Sequence, residues 1–326
     1  MEKVLEVKDL VTNISLRGQN HAVVDHVSFS VEQGEILGVV GESGCGKSMT
    51  AMSLMQLLDK PFDIAHGQVL LHGSDLLTFT PAQMEQVRGN QMSMIFQDVM
   101  TSLNPLMKIG HQIMEPLRIH KGMSKKEAKE EAIRLLASVG IPSPEKRFGE
   151  YPNSLSGGMR QRVMIAIAIA CKPRLLIADE PTTALDVTVQ AQILDIIRTL
   201  RAESNTATIL ITHDLGVVYE TCDRLLVMYC GHIVESGSVQ QIFKNPLHPY
   251  TKGLIHAIPS AVDKVDHLYN IPGTVPPVGE YSSGCRFADR CGQCHTGCRE
   301  CIPALIEAEP NHYVRCLCCG KEAICG

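Results

Sequence analysis

The sequence predicts an α/β fold with a mostly parallel β-sheet, and three apolar runs together with one glycine-rich turn predict it. The runs are EILGVV at 35–40, RLLIAD at 174–179 and ATILIT at 207–212. Continuous apolarity, rather than alternation, is typical of strands that helices cover on both faces. The first run leads directly into GESGCGKS at 41–48. A strand, a tight turn and a helix are therefore expected to follow one another here.

Two segments before the first buried run alternate apolar and polar residues. They are VLEVKDL at 4–10 and HVSFSVEQG at 26–34, and the second ends in glycine. Alternation of this kind indicates strands with one buried and one polar face. We therefore expect an antiparallel flank of strands beside the parallel sheet.

Residues 98–165 change to a helical pattern, which is clearest in KKEAKEEAIRLLASVG at 125–140. Ser124 and Glu127 fit a capping box at its start, and Gly140 is a typical end. We predict a helical subdomain over about residues 98–165, with its alternating charges on a solvated face.

Length and composition limit the class of protein. A chain of 326 residues is long for one core, so two units are expected. The formal net charge of -5 gives no basic footprint, and no nucleic-acid partner is predicted. The N-terminus has no apolar signal core, and no apolar run reaches the roughly 18 residues of a spanning helix. The sequence is interpreted as cytosolic.

Nine of the 13 cysteines lie between Cys285 and Cys325. In a reducing compartment this density indicates metal binding rather than disulfides. A segment rich in Pro, Gly and Ser begins at about residue 257 and is typical of a linker. We predict a first domain over 1–258 and a cysteine-rich C-terminal extension over 259–326.

The turn at 41–48, here called the phosphate loop, carries specific chemistry. Gly41, Gly46, Lys47 and Ser48 fit G-x-x-x-x-G-K-[ST], in which backbone N–H groups surround phosphates, the lysine reaches the outer ones and the hydroxyl ligates magnesium. A glycine-rich turn without a ligand is the alternative. We expect the thiol of Cys45 to be inert and its pKa to be raised beside bound phosphate. The predicted nucleotide contacts are Gly41, Glu42, Ser43, Gly44, Cys45, Gly46, Lys47, Ser48 and Met49.

Two adjacent carboxylates end the second apolar run, in LLIADE at 175–180. Successive strand residues point in opposite directions, so Asp179 and Glu180 can face different partners. Asp179 is predicted to face magnesium and Glu180 the attacking water. An acidic strand end is often only solvated, and the phosphate loop is what makes a catalytic interpretation preferable.

Further motifs identify a family. LSGGMRQR at 155–162 resembles the signature of the ABC transporter ATPases, which are α/β P-loop proteins that hydrolyse ATP with Mg²⁺. Gln97 in MIFQD, Asp186 in TTALD and His213 in ITHD follow the order of that family's motifs. The sequence is accordingly identified as resembling an ABC ATPase.

The resemblance implies that ATP is held between two chains. Ser156, Gly157 and Gly158 would bind the γ-phosphate of ATP on the opposite subunit, with backbone donors at a helix start. Asp186 would link the two sites across the dimer. An unpaired chain should therefore hydrolyse ATP slowly.

The resemblance assigns further roles around the nucleotide. Gln97 would ligate magnesium and sense the membrane partner, His213 would contact the γ-phosphate, and Glu180 would polarise the water. Many members stack adenine on an aromatic residue, whereas the aligned position here is Ile14. The base either rests on this apolar side chain with weaker stacking, or the alignment is shifted.

The end of the chain resembles the C-terminal region of peptide and nickel importer ATPases. The matching segments are NPLHPYT at 245–251, IPGTVPP at 271–277, GCRFADRC at 284–291 and HYVRC at 312–316. The resemblance implies a 4Fe–4S cluster on four cysteines: Cys285, Cys291, Cys298 and Cys316. Zinc remains open because four thiolates suit either group, and free thiols are the third possibility. Five more cysteines can compete as ligands: Cys294, Cys301, Cys318, Cys319 and Cys325.

The same resemblance implies an importer of di- or oligopeptides. Its partners would be a second, different ATPase chain, two transmembrane permease subunits contacted through residues 97–105, and indirectly an extracytoplasmic solute-binding protein. The chain would be peripheral to the cytoplasmic face of the inner membrane. Nickel or another small solute remains open as cargo. A soluble ABC ATPase without a membrane partner and a metal-sensing binding module are the alternatives from other classes.

Overall fold

The three apolar runs form strands in which every residue is buried: Ile36–Val40, Leu175–Asp179 and Ala207–Ile211. The structure is a computed structural model that describes residues 2–182, 187–257 and 270–319. Its strands and helices confirm the predicted α/β class. Among the described residues, no helix is both long and apolar enough to cross a bilayer.

The elements are numbered along the chain. The strands are β1 (Lys3–Leu16), β2 (Gln19–Glu32), β3 (Ile36–Val40), β4 (Phe62–Leu71), β5 (Ser74–Asp75), β6 (Met92–Ile95), β7 (Leu175–Asp179), β8 (Ala207–Ile211), β9 (Arg224–Tyr229), β10 (His232–Ser238), β11 (Ile306–Glu309) and β12 (His312–Val314). The helices are α1 (Lys47–Met55), α2 (Pro81–Val87), α3 (Val99–Ser102), α4 (Ile109–Lys121), α5 (Lys125–Ser138), α6 (Pro144–Arg147), α7 (Gly157–Ile169), α8 (Val187–Ser204), α9 (Leu215–Thr221), α10 (Val239–Lys244), α11 (Pro249–His256) and α12 (Thr296–Glu300).

The described residues divide into two units. The first contains residues 2–5, Ser30–Glu35 and Leu70–Ile211, and therefore the helices from α2 to α8. The second contains Glu6–Phe29, Ile36–Val69 and the described residues after 211, and therefore the phosphate loop and the C-terminal extension.

In the first unit β6, β7 and β8 lie side by side and run parallel. Ile95 pairs with Ala178, and Asp179 pairs with Ile211. The carboxyl ends of parallel strands lie at one edge of a sheet. Side chains that follow β6 and β7 are therefore brought together.

In the first unit every element from Val99 to Ile169 is a helix or a 3₁₀ turn, while a separate helical subdomain over about residues 98–165 stays a prediction. The predicted capping box is present at the start of α5. The Glu127 amide donates to Ser124 Oγ at 3.3 Å, and the Ser124 amide donates to Glu127 Oε2 at 2.9 Å. The helix ends at Ser138, and Gly140 follows with φ +74°.

The second unit has a mixed sheet at its centre. β9 pairs parallel with β3 and antiparallel with β10. On the far side of β10, β12 and then β11 are added as antiparallel strands. The predicted flank is also present, with β2, β1 and β4 as neighbours in that order. Arg17 and Gly18 connect β1 to β2 and both have positive φ, as a two-residue antiparallel hairpin requires.

The C-terminal extension supplies part of the hydrophobic core of the second unit. Ile271 and Phe287 are buried in one cluster with Tyr229 and Tyr250. The Phe287 ring lies 5.2 Å from that of Tyr229 and 5.4 Å from that of Tyr250, and such aromatic pairs add to the free energy of area burial. The predicted boundary near residue 258 adjoins a segment outside the described residues and stays a prediction.

A buried ion cluster lies near this core. His232 Nε2 is 3.1 Å from Asp25 Oδ2, and Arg286 donates to the same carboxylate oxygen. Burial lowers the pKa of His232 to about 4, aided by the charges of Arg286 and Arg315 and opposed by Asp25. Burial opposes ionisation of Asp25, but its partners still hold the pKa of Asp25 at about 2.

This cluster predicts a stability effect in acid. An unfolded histidine takes up a proton near its ordinary pKa of 6.5, whereas folded His232 takes one up only near pH 4. Unfolding therefore binds a proton between these values, so the folded state loses about 2 kcal/mol between pH 7 and pH 5 through this group. We expect His232→Gln to lose correspondingly less than the wild type, as measured by urea unfolding at the two pH values. Equal losses in both proteins would contradict the assignment.

Candidate functional site

The phosphate loop joins β3 to α1, and its glycines are required by close contacts. Gly41 and Gly46 have φ of +154° and +104°. A Cβ atom at Gly41 would lie 2.2 Å from the Met228 carbonyl oxygen, and one at Gly46 would lie 2.6 Å from the Val23 carbonyl oxygen. No larger residue fits at either position without movement of the backbone. Because α1 begins at Lys47, its first N–H groups point toward the loop.

The Lys47 side chain lies within this loop. Lys47 is 6% exposed, and its ammonium donates to the carbonyl oxygens of Gly41 at 2.7 Å and Glu42 at 3.1 Å. A buried ammonium beside N–H groups of a helix start forms a strongly positive site. This arrangement suits a ligand with several negatively charged oxygens.

Cys45 is buried in the same loop, and burial raises the pKa of its thiol although the nearby Lys47 charge lowers it in part. The raised pKa agrees with the predicted inert thiol, but its cause here is burial. The Cys45 carbonyl oxygen accepts a hydrogen bond from the Gly231 amide at 2.8 Å. The backbone of this residue therefore helps to hold the loop.

The acidic strand end brings two predicted residues together in the first unit. Asp179 ends β7 and is 3% exposed, and Glu180 follows it. The Gln97 Nε2 group donates to Glu180 Oε2 at 3.0 Å. Glu180 has φ +46°, and its amide donates to the Ile211 carbonyl at 2.9 Å. A non-glycine residue in left-handed backbone often marks a functional position, and here it fixes where the carboxylate lies.

The signature segment forms a helix start in the first unit. Ser156 is the N-cap of α7 and its Oγ accepts from the Met159 amide at 3.4 Å, while Gly157 and Gly158 are the first two helical residues. Ser156 and Gly157 are exposed. An exposed helix start with glycines presents backbone N–H groups to an anion. Such a start could bind a phosphate of a nucleotide on a second chain, and that role stays a prediction.

Gln161 is a residue of the site region that sequence reasoning did not single out. It lies on α7, is 2% exposed, and its Nε2 donates to the Pro181 carbonyl. Gln161 thereby joins the signature helix to the segment directly after Glu180. Gln161 lies between Arg160 and Arg162 in the sequence, so its polarity gave no signal that it would be buried.

His213 belongs to the second unit and directly follows Thr212, which lies beside the end of β3. The Thr212 amide donates to the Val39 carbonyl at 3.2 Å, and His213 is exposed next to it. The following Asp214 caps α9, with its Oδ1 accepting from two amides of that helix. His213 is therefore held between a strand pair and a helix cap, close to where the phosphate loop begins.

Two other predicted residues gain no such support. Asp186 lies outside the described residues, and Ile14 is a half-buried residue of β1 whose contact with adenine stays a prediction.

The four cysteines named for a cluster all belong to the second unit. The Cys285 amide donates to the Cys298 carbonyl at 2.7 Å. Burial, together with the nearby thiols of Cys316, Cys298 and Cys291, raises the pKa of Cys285 to about 11. Charges act over several ångströms, so this influence places the thiols in one region, and a group shared by the four cysteines stays a prediction.

Competing donors are present as predicted, and one was missed. Ligand atoms of His295, Cys298 and Cys318 all lie within 4.8 Å of one another. The Cys316 thiol donates to Cys319, which raises the pKa of Cys316 and lowers that of Cys319. His295 could have been found from its H-x-x-C spacing to Cys298.

Three further cysteines complete the predicted set. Cys294 is a free thiol, Cys301 is disulfide-bonded and therefore no free thiolate donor, and Cys325 lies outside the described residues.

The phosphate loop defines the class of protein. A buried lysine at the start of a helix, reached from a parallel strand through a glycine-rich turn, is the arrangement of P-loop nucleotide-binding proteins. The solved structure of MJ0796, a bacterial ABC transporter cassette in dimeric form, matches with a TM-score of 0.66 over 72% of this chain and 98% of that chain. At 24% identity this likeness shows the fold alone.

Sequence comparisons give the family. The model of the ABC transporter family matches residues 24–183, and that of the oligopeptide/dipeptide transporter C-terminal region matches residues 234–298. The probable peptide ABC transporter ATP-binding protein y4tR of Sinorhizobium fredii is 49% identical over 96% of this chain and 94% of its own length. The oligopeptide transport ATP-binding protein AppD of Bacillus subtilis is 48% identical over 99% and 98%. The chain belongs to the ABC transporter family of ATP-binding proteins and carries its oligopeptide/dipeptide C-terminal region.

Proposed function

We propose that this chain is the ATP-binding and ATP-hydrolysing subunit of an ABC importer for di- or oligopeptides. The observation that carries the proposal is the phosphate loop with its buried Lys47, in a chain nearly half identical to peptide transport ATP-binding proteins over their length. The loop supplies the binding of ATP, and the C-terminal region indicates the peptide branch.

The first step is the binding of the triphosphate by the loop. Lys47 exchanges its hydrogen bonds to two loop carbonyls for bonds to phosphate oxygens, which are stronger because both partners are charged. His213 contacts the γ-phosphate. In phosphoryl transfer the protein contributes mostly positioning and electrostatic stabilisation.

Magnesium suits the donors that the sequence predicts. Ser48, Gln97 and Asp179 offer a hydroxyl, an amide oxygen and a carboxylate, and hard oxygen donors are what Mg²⁺ prefers. Gln97 turns its amide nitrogen to Glu180, which directs its carbonyl oxygen elsewhere. When bound, the ion neutralises charge on the phosphates.

Glu180 is the proposed catalytic carboxylate. It accepts from Gln97 at 3.0 Å, which orients a carboxylate able to polarise the attacking water. Gln97 is the first residue of the segment 97–105, which is the proposed contact with the permease. Movement of that segment would therefore reposition Glu180. Hydrolysis would in this way respond to the membrane subunits.

A second ATPase chain is proposed to complete each nucleotide site. Ser156, Gly157 and Gly158 present an exposed helix start that suits the γ-phosphate of ATP bound by the partner, and Asp186 is proposed to link the two sites. The cassette MJ0796 is described as dimeric, once in a post-hydrolysis state bound to ADP and Pi. We propose that the partner is a different chain, and that two permeases and a solute-binding protein complete the importer at the cytoplasmic face of the membrane.

The C-terminal extension is proposed to hold a 4Fe–4S cluster, with zinc as the alternative. Cys285, Cys291, Cys298 and Cys316 offer four sulfur donors, and the other three thiols contribute to the raised pKa of Cys285. Both groups favour thiolate ligation, and a structural group is a common means to stabilise a segment this small. His295 and Cys318 lie beside Cys298 and favour zinc if they displace other donors.

Metal analysis tests the extension. After anaerobic purification we expect iron and acid-labile sulfide in equal amounts, and Cys316→Ser should lose most of both because one of four ligands is gone. Cys222→Ser serves as the control, because Cys222 is a half-buried free thiol outside the extension. Zinc without iron would contradict the cluster, and a metal-free protein would contradict both groups.

Reconstitution tests the function. The chain, its partner ATPase and the permeases are placed in liposomes with the solute-binding protein, and ATP-dependent uptake of a labelled dipeptide, a labelled pentapeptide and nickel is compared. Uptake of either peptide supports the proposal. Uptake of nickel alone, or ATP hydrolysis by the purified chain without any association with the permeases, would contradict it.

A further inference from the structure

The C-terminal extension contacts the phosphate loop directly, within the second unit. Arg290 donates from Nη1 to Glu42 Oε2 at 2.6 Å and from Nη2 to Glu42 Oε1 at 3.0 Å. Glu42 is the second residue of the loop. Two parallel bonds between a guanidinium and a carboxylate fix orientation as well as distance.

The Arg290 side chain is itself fixed on several sides. It is 6% exposed, and its Nε donates to the Pro272 carbonyl at 2.9 Å. Its Nη1 also donates to Tyr229 Oη at 3.3 Å, and its Nη2 to the Ile271 carbonyl at 3.4 Å. The guanidinium therefore occupies one position and cannot follow Glu42 if that residue moves.

The backbone of Glu42 is held as well. Its amide donates to Tyr250 Oη at 2.8 Å, and its carbonyl oxygen accepts from Lys47 Nζ at 3.1 Å and from the Cys45 amide at 3.2 Å. The residue thus connects the lysine inside the loop to an arginine outside it. A shift of the Glu42 carbonyl would move an acceptor of the lysine that binds phosphate.

A second arginine of the extension supports the other end of the loop. Arg286 donates to the Cys230 carbonyl, and the next residue, Gly231, donates from its amide to the Cys45 carbonyl at 2.8 Å. Gly231 is confined, since a Cβ there would lie 2.8 Å from the Val23 carbonyl and 3.1 Å from Arg286 Nη1. The extension therefore contacts both sides of the loop, directly at one and through one turn at the other.

We propose that Arg290 is a positioning residue of the ATP site, so that the C-terminal extension sets the affinity of the phosphate loop for nucleotide. The inference rests on the proposed binding of ATP by this loop. Arg290 holds the Glu42 carboxylate in a bidentate pair and neutralises its charge. Without the arginine, an unpaired carboxylate would be left in the loop that must bind a polyanion, and its repulsion would weaken ATP binding.

The charge explanation makes a specific prediction for paired variants. We expect Arg290→Met to raise the Kd for ATP of the full-length chain about tenfold, the scale of a lost charged hydrogen-bonded pair. Glu42→Gln removes the carboxylate but keeps its shape, so it should change the Kd less. The double variant should bind ATP more tightly than Arg290→Met alone, because the repelling charge is gone. Such non-additivity is the measure of direct coupling between the two residues.

Arg299→Met is the matched control in the same extension. Arg299 pairs with Asp289 at the surface, with side-chain exposures of 57% and 68%, so its loss should leave the Kd unchanged. Arg290→Lys keeps a positive charge and should fall between wild type and Arg290→Met, and it remains measurable if the methionine variant does not fold. Thermal unfolding of each variant separates lost affinity from lost structure.

The outcomes are distinguishable. An unchanged Kd in Arg290→Met, or a double variant whose loss equals the sum of the single losses, would overturn the positioning role. A wild-type chain that binds no ATP would instead contradict the proposed function. A rise in Kd that is reversed by Glu42→Gln supports the inference.

Discussion

Glu180→Gln is expected to leave ATP binding intact and to reduce hydrolysis by a factor of about a hundred or more, the usual contribution of a general base. The substitution keeps the size of the side chain and its hydrogen bond to Gln97, but an amide cannot accept the proton of the attacking water. ATP affinity and steady-state phosphate release, measured in the assembled transporter, would show the separation of binding from turnover.

Glu130→Gln provides the control for that experiment. Glu130 is an exposed residue of α5 in the same unit, so the same chemical change there should leave both measurements unchanged. Turnover of Glu180→Gln within a few-fold of the wild type would place the catalytic carboxylate elsewhere.

Lys47→Ala is expected to weaken ATP binding by about a hundredfold or more, because several charge-assisted hydrogen bonds to phosphate are lost together. The buried position of Lys47 and its bonds to Gly41 and Glu42 show that this ammonium lies inside the loop rather than in solvent. Titration calorimetry with ATP and Mg²⁺ measures the change directly, and thermal unfolding reports whether the loop carbonyls that lose a donor destabilise the fold.

Lys244→Ala is the corresponding control, because Lys244 is an exposed residue at the end of α10 in the same unit. If Lys47→Ala bound ATP as well as this control, the phosphate loop would not be the nucleotide site. The proposed role of Arg290 would then also lose its basis. If Lys47→Ala weakens ATP binding as expected, the Arg290 and Glu42 variants decide that role.

The two predictions concern separate steps. Lys47 acts on binding, within the second unit, and Glu180 acts on the reaction, within the first. Arg290 belongs with the binding step, since it acts through Glu42 on the loop that contains Lys47. Measuring ATP affinity and ATP turnover for variants of Lys47, Glu180 and Arg290 would therefore separate effects on nucleotide binding from effects on hydrolysis.

Much of the site could be predicted because its requirements are local. A glycine is needed wherever a Cβ would strike a carbonyl, as at Gly41 and Gly46, and the lysine must follow at the helix start. Three wholly buried strands were readable from continuous apolar runs, and the start of α5 from Ser124 and Glu127. In each case the physical cause lies within a few residues of the chain.

The sequence by itself determined the α/β class, the phosphate loop, the acidic strand end and the signature helix, because each depends on neighbouring residues. Only the tertiary structure decided that Arg290 pairs with Glu42 across 248 positions, that Gln161 reaches Pro181, and that Cys318 lies beside His295 and Cys298. An arginine in a loop carries no local mark of its partner. Its contacts are set by which segments the core of the unit brings together, and here Ile271 and Phe287 bury the extension against the strand that precedes the phosphate loop.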